Sequence, residues 1–111
     1  MNLQVDQLED VTVVRVREDK LVYPLLGSFF AKVSQLIEGG ARNLLIDLSD
    51  VTYVDSATIG CLMDVHRLLA ERSGKLKLTG LQERVETMVS MTGLHNLVEI
   101  YREEKSALDS F

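Results

Sequence analysis

Leu44-Leu45-Ile46-Asp47-Leu48-Ser49-Asp50-Val51-Thr52-Tyr53-Val54-Asp55-Ser56-Ala57-Thr58-Ile59-Gly60 decides the fold. It opens as a nearly continuous apolar run of strand length, the pattern of a central strand covered on both faces. It then crosses an acidic loop. From Ala57 to about Arg72 the apolar residues Ile59, Leu62, Met63, Val65, Leu68 and Leu69 recur at helical spacing, and Ser73-Gly74 stops them. A buried strand delivers the chain to a helix N-terminus, and helices must lie on either side of that strand.

Toward the N-terminus, Leu3 and Val5 and then Val11, Val13, Val14 and Val16 form two β-rich runs around Glu9-Asp10, which predicts an antiparallel hairpin. After the charged stretch Arg17-Glu18-Asp19-Lys20, Pro24 suits the first turn of a helix with apolar positions Leu26, Phe29, Phe30, Val33 and Ile37, closed by Gly39-Gly40. Toward the C-terminus, Lys75-Leu76-Lys77-Leu78-Thr79 alternates as a strand with one exposed face, leaving Lys75 and Lys77 in solvent. Gln82 to Ser90 predicts a third helix that ends near Thr92-Gly93. Leu97 to Ile100 predicts a last strand, and Glu103 to Asp109 a terminal helix. The order β-β-α-β-α-β-α-β-α predicts an α/β domain with a mixed sheet of four to five strands and about four helices, formed by residues 1–111 together.

A chain of 111 residues, 46% apolar and 26% charged with one Pro, has the composition of one globular domain. Its net charge of −5 is the wrong sign for a phosphate backbone, so nucleic acid is not an expected partner. No apolar run approaches the ~20 residues that cross a bilayer, and Met1-Asn2-Leu3-Gln4 does not begin a signal peptide, so neither insertion nor export is expected. Cys61 is the one cysteine, which fits a reducing cytoplasm and excludes an intramolecular disulfide.

Chemistry concentrates at Asp55-Ser56. From local sequence alone Ser56 reads as the helix N-cap, its hydroxyl accepting from the N–H of Thr58 or Ile59, and losing such a cap costs ~0.5–2 kcal/mol. The same position, at the positive end of the helix dipole, tolerates an attached anion without unfolding the domain. Enzymatic readings lack their parts. His66 lies ten residues further along the same helix, roughly 15 Å away at ~1.5 Å per residue, and cannot serve Ser56 as a base. His95 reads as a loop histidine, and neither histidine has zinc-binding spacing, so no metal or cofactor is expected. Asp47, Asp50 and Asp55, with Glu9-Asp10, raise a receiver-type phosphoacceptor pocket as a rival, but the hairpin start and the absence of a later Lys-Pro pair oppose it. Asp47 and Asp50 then serve only to solvate loops. Cys61 reads as an inert buried thiol, and Met63, Met88 and Met91 with Phe29-Phe30 read as core. In Tyr23-Pro24-Leu25-Leu26, whatever does not start the helix is open to a partner.

Val51-Thr52-Tyr53-Val54-Asp55-Ser56, the helix after it, Gly74-Lys75-Leu76 and Met91-Thr92-Gly93-Leu94 resemble the STAS domains of bacterial anti-sigma factor antagonists from about residue 30 onward. The resemblance implies a non-enzymatic binding module. Its unmodified form binds a serine-kinase anti-sigma factor and so frees a sigma factor for transcription. Phosphorylation of the serine after the Asp, here Ser56, ends that binding, and a phosphatase resets it. On this pattern Asp55, Ser56, Ala57, Thr58 and Ile59 are partner-binding, joined by Glu18, Asp19 and Tyr23. Two departures stand out. Thr58 occupies the place of a glycine, and Arg17 to Pro24 replaces a Gly-Glu-hydrophobic-Asp motif. The competing reading is a STAS-like accessory subunit of a lipid-transport or stress-signalling assembly, with Ser56 a cap only. Oligomeric state is not indicated.

Overall fold

A computed structural model describes residues 1–111. Strands β1 (Leu3–Leu8) and β2 (Val11–Val16) form the antiparallel hairpin, with Glu9 at φ 58° in its turn. Then follow β3 (Lys20–Leu21), α1 (Tyr23–Glu38), β4 (Asn43–Asp47), β5 (Tyr53–Val54), α2 (Ser56–Ala70), β6 (Lys75–Thr79), α3 (Glu83–Thr92), β7 (Glu99–Tyr101) and α4 (Glu104–Asp109). The main sheet is mixed and five-stranded, in the order β1-β2-β4-β6-β7, with every pair after the hairpin parallel. The four helices and this sheet are what the sequence predicts. Two elements are additional: β3 and β5, two residues each, pair in parallel with one another and stand apart from the main sheet.

Both faces of β4 are covered, as its apolar run requires. Leu44 and Ile46 point into the larger core with Val14, Val16, Leu76 and Leu78, under Phe29, Val33 and Ile37 of α1, Leu62, Val65 and Leu69 of α2, and Val85 and Val89 of α3. Each such side chain contributes ~1.5–3 kcal/mol by leaving water. Leu45 points the other way, to Val11, Val13 and Ala107 of α4.

This second cover corrects the reading of β6. Lys77 is only 3% exposed, because α4 and the chain after it lie across that face. Its ammonium donates to the Ser110 carbonyl at 2.9 Å and the Ser110 hydroxyl at 2.8 Å, pairs with Glu99 at 3.2 Å, and sits over the Phe111 ring at 4.6 Å. A buried ammonium is tolerable only with such partners. Met91 is a second correction: on the outer side of α3 it is 78% exposed, while Val85 and Val89 face the core. The last strand begins at Glu99 rather than Leu97, since Gly93, at φ 81°, ends α3 and a 3₁₀ turn over Leu94–Asn96 uses up the intervening chain. No helix is long and apolar enough to cross a membrane.

Candidate functional site

Strand β5 and the first turn of α2 deliver Asp55 and Ser56 to the surface. Asp55, with extended backbone (φ −100°, ψ 176°), is the N-cap of α2. Its Oδ1 accepts from the Thr58 N–H at 2.9 Å and from the Thr58 hydroxyl at 2.8 Å. Ser56 is therefore the first helical residue, not the cap, because the longer carboxylate one position earlier takes the orphan N–H first. Ser56 and Ala57 are exposed.

The other carboxylate oxygen of Asp55 reaches a different helix. Oδ2 accepts from the N–H of Tyr23, the first residue of α1, at 2.9 Å. Helix α1 has no cap from its own N-cap residue Val22, and Pro24 carries no N–H, so Asp55 satisfies the starts of two helices at once. Burial works to raise the Asp55 carboxyl pKa. Hydrogen bonds from the Thr58 hydroxyl, the Tyr23 N–H and the Thr58 N–H outweigh it and hold the group below the usual carboxylate range.

A carboxylate whose folded pKa is depressed stabilises the fold above its unfolded pKa of ~3.9, and that contribution fades as pH falls through the folded value. Asp55→Ala is expected to cost ~1–2 kcal/mol at pH 7. The gap from the original protein should narrow below about pH 4, which urea unfolding across pH measures.

The β3–β5 pair brings two sequence-distant groups together. Lys20 lies opposite Tyr53 and Leu21 opposite Val54, so residues 19–23 run beside 52–56. Asp19 is fastened here: its carbonyl accepts the Thr52 N–H at 2.7 Å and its carboxylate accepts the Thr52 hydroxyl at 2.7 Å. Tyr23, 72% exposed, stands beside the Asp55-Ser56 junction. Glu18 is turned aside, its carboxylate accepting the Asn2 N–H at 2.6 Å.

Two predicted contact residues are corrected. Thr58 is wholly buried, its hydroxyl also 2.7 Å from the Leu21 carbonyl, and Ile59 is 2% exposed within the core. Neither can touch a partner while α2 is folded, because the helical period turns both inward. What remains at the surface is Ser56 and Ala57 with Tyr23, Asp19 and the rim of Asp55.

Sequence reasoning passed over the neighbouring groove. Tyr53, Val54, Thr87, Met88 and Met91 line a shallow opening of about 310 Å³, and the Arg84 guanidinium stacks 5.1 Å from the Tyr53 ring centre. Only the tertiary approach of α3 to β5 creates it, and no local pattern announces that approach.

The receiver-type rival fails on register. Val11 pairs with Asn43 and Arg15 with Asp47, so Glu9-Asp10 and Asp47 sit at opposite ends of the sheet. Asp47 is not a solvated loop carboxylate either: 7% exposed, it accepts from Arg15 at 3.0 Å and from the Ser49 N–H at 2.9 Å. Asp50 pairs with Arg17 at 3.2 Å. No three His, Cys, Asp or Glu side chains gather closely enough to hold a metal.

Cys61 lies in the core, where burial first and nearby Asp64 second push its thiol up to about 11. Thiol reagents at pH 8 should label it only after unfolding, which mass spectrometry with and without denaturant checks.

A family model described as the STAS domain matches residues 2–107. An anti-sigma-B factor antagonist of Bacillus subtilis is 33% identical over 102 residues, covering 90% of each chain. An anti-sigma factor antagonist from Mycobacterium paratuberculosis superposes with a TM-score of 0.89 at 19% identity, covering 98% of this chain and 92% of that one. SpoIIAA, a Bacillus cell fate determinant solved in phosphorylated form, gives a TM-score of 0.75 at 20% identity over 98% of both chains. At those identities the two structures speak for the fold alone. The family match and the Bacillus subtilis relative, each spanning nearly the whole chain, go further: this protein belongs to the STAS domain family, as a domain of the anti-sigma factor antagonist type.

Proposed function

We propose that this protein is a cytoplasmic anti-sigma factor antagonist that binds a kinase-type anti-sigma factor in its unmodified state and is released when that kinase phosphorylates Ser56. The observation that carries this reading is Ser56 itself, exposed at the first position of α2 and relieved of capping duty by Asp55. A phosphate on its hydroxyl would take away no capping bond, since Asp55 holds the Thr58 N–H. Phosphate adds ~−1.5 to −2 charge at neutral pH directly beside the ionised Asp55. The positive ends of α1 and α2 moderate that charge in the free protein. In a closed interface with no cation to meet it, the same charge costs several kcal/mol, a loss of roughly a thousandfold in affinity.

STAS anti-sigma factor antagonists are regulatory binding proteins rather than enzymes, and the site fits that role. His66 lies ten residues beyond Ser56 on α2, roughly 15 Å away at ~1.5 Å per residue, so it cannot activate the serine as a nucleophile. The partner surface comprises Ser56, Ala57 and Tyr23 with Asp19 and Asp55 at its edge, while Thr58 and Ile59 support it from within.

The test is to incubate the protein with ATP and a kinase-type anti-sigma factor from its own host, then follow intact mass and map the modified residue. One phosphate on Ser56, with dissociation of the complex, is the expected result. No phosphate, or phosphate on another residue, overturns the proposal.

A further inference from the structure

The Thr58 hydroxyl occupies a specific place. It lies 2.7 Å from the Leu21 carbonyl and 2.8 Å from Asp55 Oδ1, fully buried between them. Both neighbours are acceptors and the hydroxyl has one proton, so that proton serves the carbonyl and the carboxylate in turn. Leu21 ends β3, and Val22 and Tyr23 begin α1 immediately after it. The same Asp55 carboxylate takes the Tyr23 N–H. Only two residues of β3 pair with β5, too short a ladder to fix this segment unaided.

We propose that Thr58 and Asp55 form a clasp that holds the start of α1 against the start of α2, so that exposed Tyr23 and exposed Ser56 present a single partner-facing surface. Thr58 is a positioning residue: it touches no partner and acts through Tyr23. The inference rests on the reading of Ser56 given above and adds a buried determinant to it. The clasp explains how a buried threonine can tune binding. Without the hydroxyl, the Leu21 carbonyl has no side-chain partner and Asp55 keeps fewer donors to orient it toward Tyr23.

The test compares the original protein with Thr58→Val, which keeps shape and loses the hydroxyl, and Thr58→Ser, which keeps the hydroxyl. Two quantities are read: hydrogen exchange at the Tyr23 amide, and affinity for the kinase-type anti-sigma factor. Thr58→Val should speed Tyr23 exchange about tenfold or more, while the Leu62 and Val65 amides of α2 stay protected. It should also weaken binding about tenfold, and Thr58→Ser should restore both. In a Tyr23→Ala background the further loss from Thr58→Val should vanish, because both changes remove the same contribution. Unchanged Tyr23 exchange overturns the clasp. An equal loss of affinity with and without Tyr23 overturns its action through that residue.

If Thr58→Val does not fold, Asp55→Asn serves instead. It leaves one acceptor oxygen where two are used, and should release the Tyr23 amide in the same way. If the original protein binds no anti-sigma factor, the Ser56 reading fails and the shared surface with it, while exchange at Tyr23 still decides whether the clasp exists.

Discussion

Ser56→Asp is expected to weaken binding to the kinase-type anti-sigma factor by about a hundredfold, while Ser56→Ala binds as the unmodified protein does and resists phosphorylation. One added carboxylate carries less charge than a phosphate, so the loss is set below the roughly thousandfold expected for phosphoserine. The stabilities should hardly move. Asp55, not Ser56, caps α2, so removing the serine hydroxyl takes away no capping bond, and both variants should unfold within ~0.5 kcal/mol of the original protein. This reverses what a serine cap implies, where the alanine form would be the less stable one. Titration calorimetry for affinity and urea unfolding for stability separate the two effects. An alanine variant that loses ~1 kcal/mol or more would return the cap to Ser56.

Arg15→Leu is expected to cost about 3–5 kcal/mol, the largest stability loss among the polar positions. Arg15, near the end of β2, is the hub of an ion-pair network at the start of α4. Its Nε donates to Asp6 at 2.8 Å, its Nη1 to Asp47 at 3.0 Å, and both terminal nitrogens grip the Glu104 carboxylate at the start of α4. Glu104 first and Asp6 next hold the guanidinium pKa well above its ordinary value, while burial opposes them. Asp6 and Glu104 are about one-third exposed and can turn to water, so their share is discounted for screening. Asp47 cannot turn to water. Its side chain is only 9% exposed, and without Arg15 its charge keeps only the bonds at Ser49. Adding Asp47→Asn to Arg15→Leu should recover part of the loss, because it removes the stranded charge. By contrast, Lys105→Ala breaks an exposed pair with Asp109 and should change stability by less than ~0.5 kcal/mol. Equal costs for Arg15→Leu and Lys105→Ala would mean that the buried network contributes nothing.

Long periodic segments were the legible part of this sequence. The hairpin and α1, α2 and α3 announce themselves in a period of two or 3.6 that burial on one face imposes, and β4 in an unbroken apolar run that burial on both faces imposes. The succession of elements and a mixed sheet follow from them, whereas the strand order β1-β2-β4-β6-β7 is seen only in the structure. What stayed hidden depends on short or distant partners. The β3–β5 pair has two residues a side, below the length at which any period can be read. Lys77 reads as solvent-facing from alternation alone, since only α4, six residues long, turns that face into an interior. The surface and its clasp show the same division. Asp55-Ser56 is visible as a helix start, yet which of the two caps the helix is decided by carboxylate reach. That Asp55 also holds α1 depends on a contact across 32 residues of sequence.

Charge on Ser56, on a fold that hardly changes, is expected to govern partner binding. The most direct measurement prepares the protein with one phosphate on Ser56 and compares its affinity for the anti-sigma factor, and its amide exchange, with those of the unmodified form. Roughly a thousandfold weaker binding, with exchange across the core of α2 and the main sheet unchanged, is the predicted result. Equal affinity for the two forms, or weaker binding accompanied by loss of core protection, would contradict it.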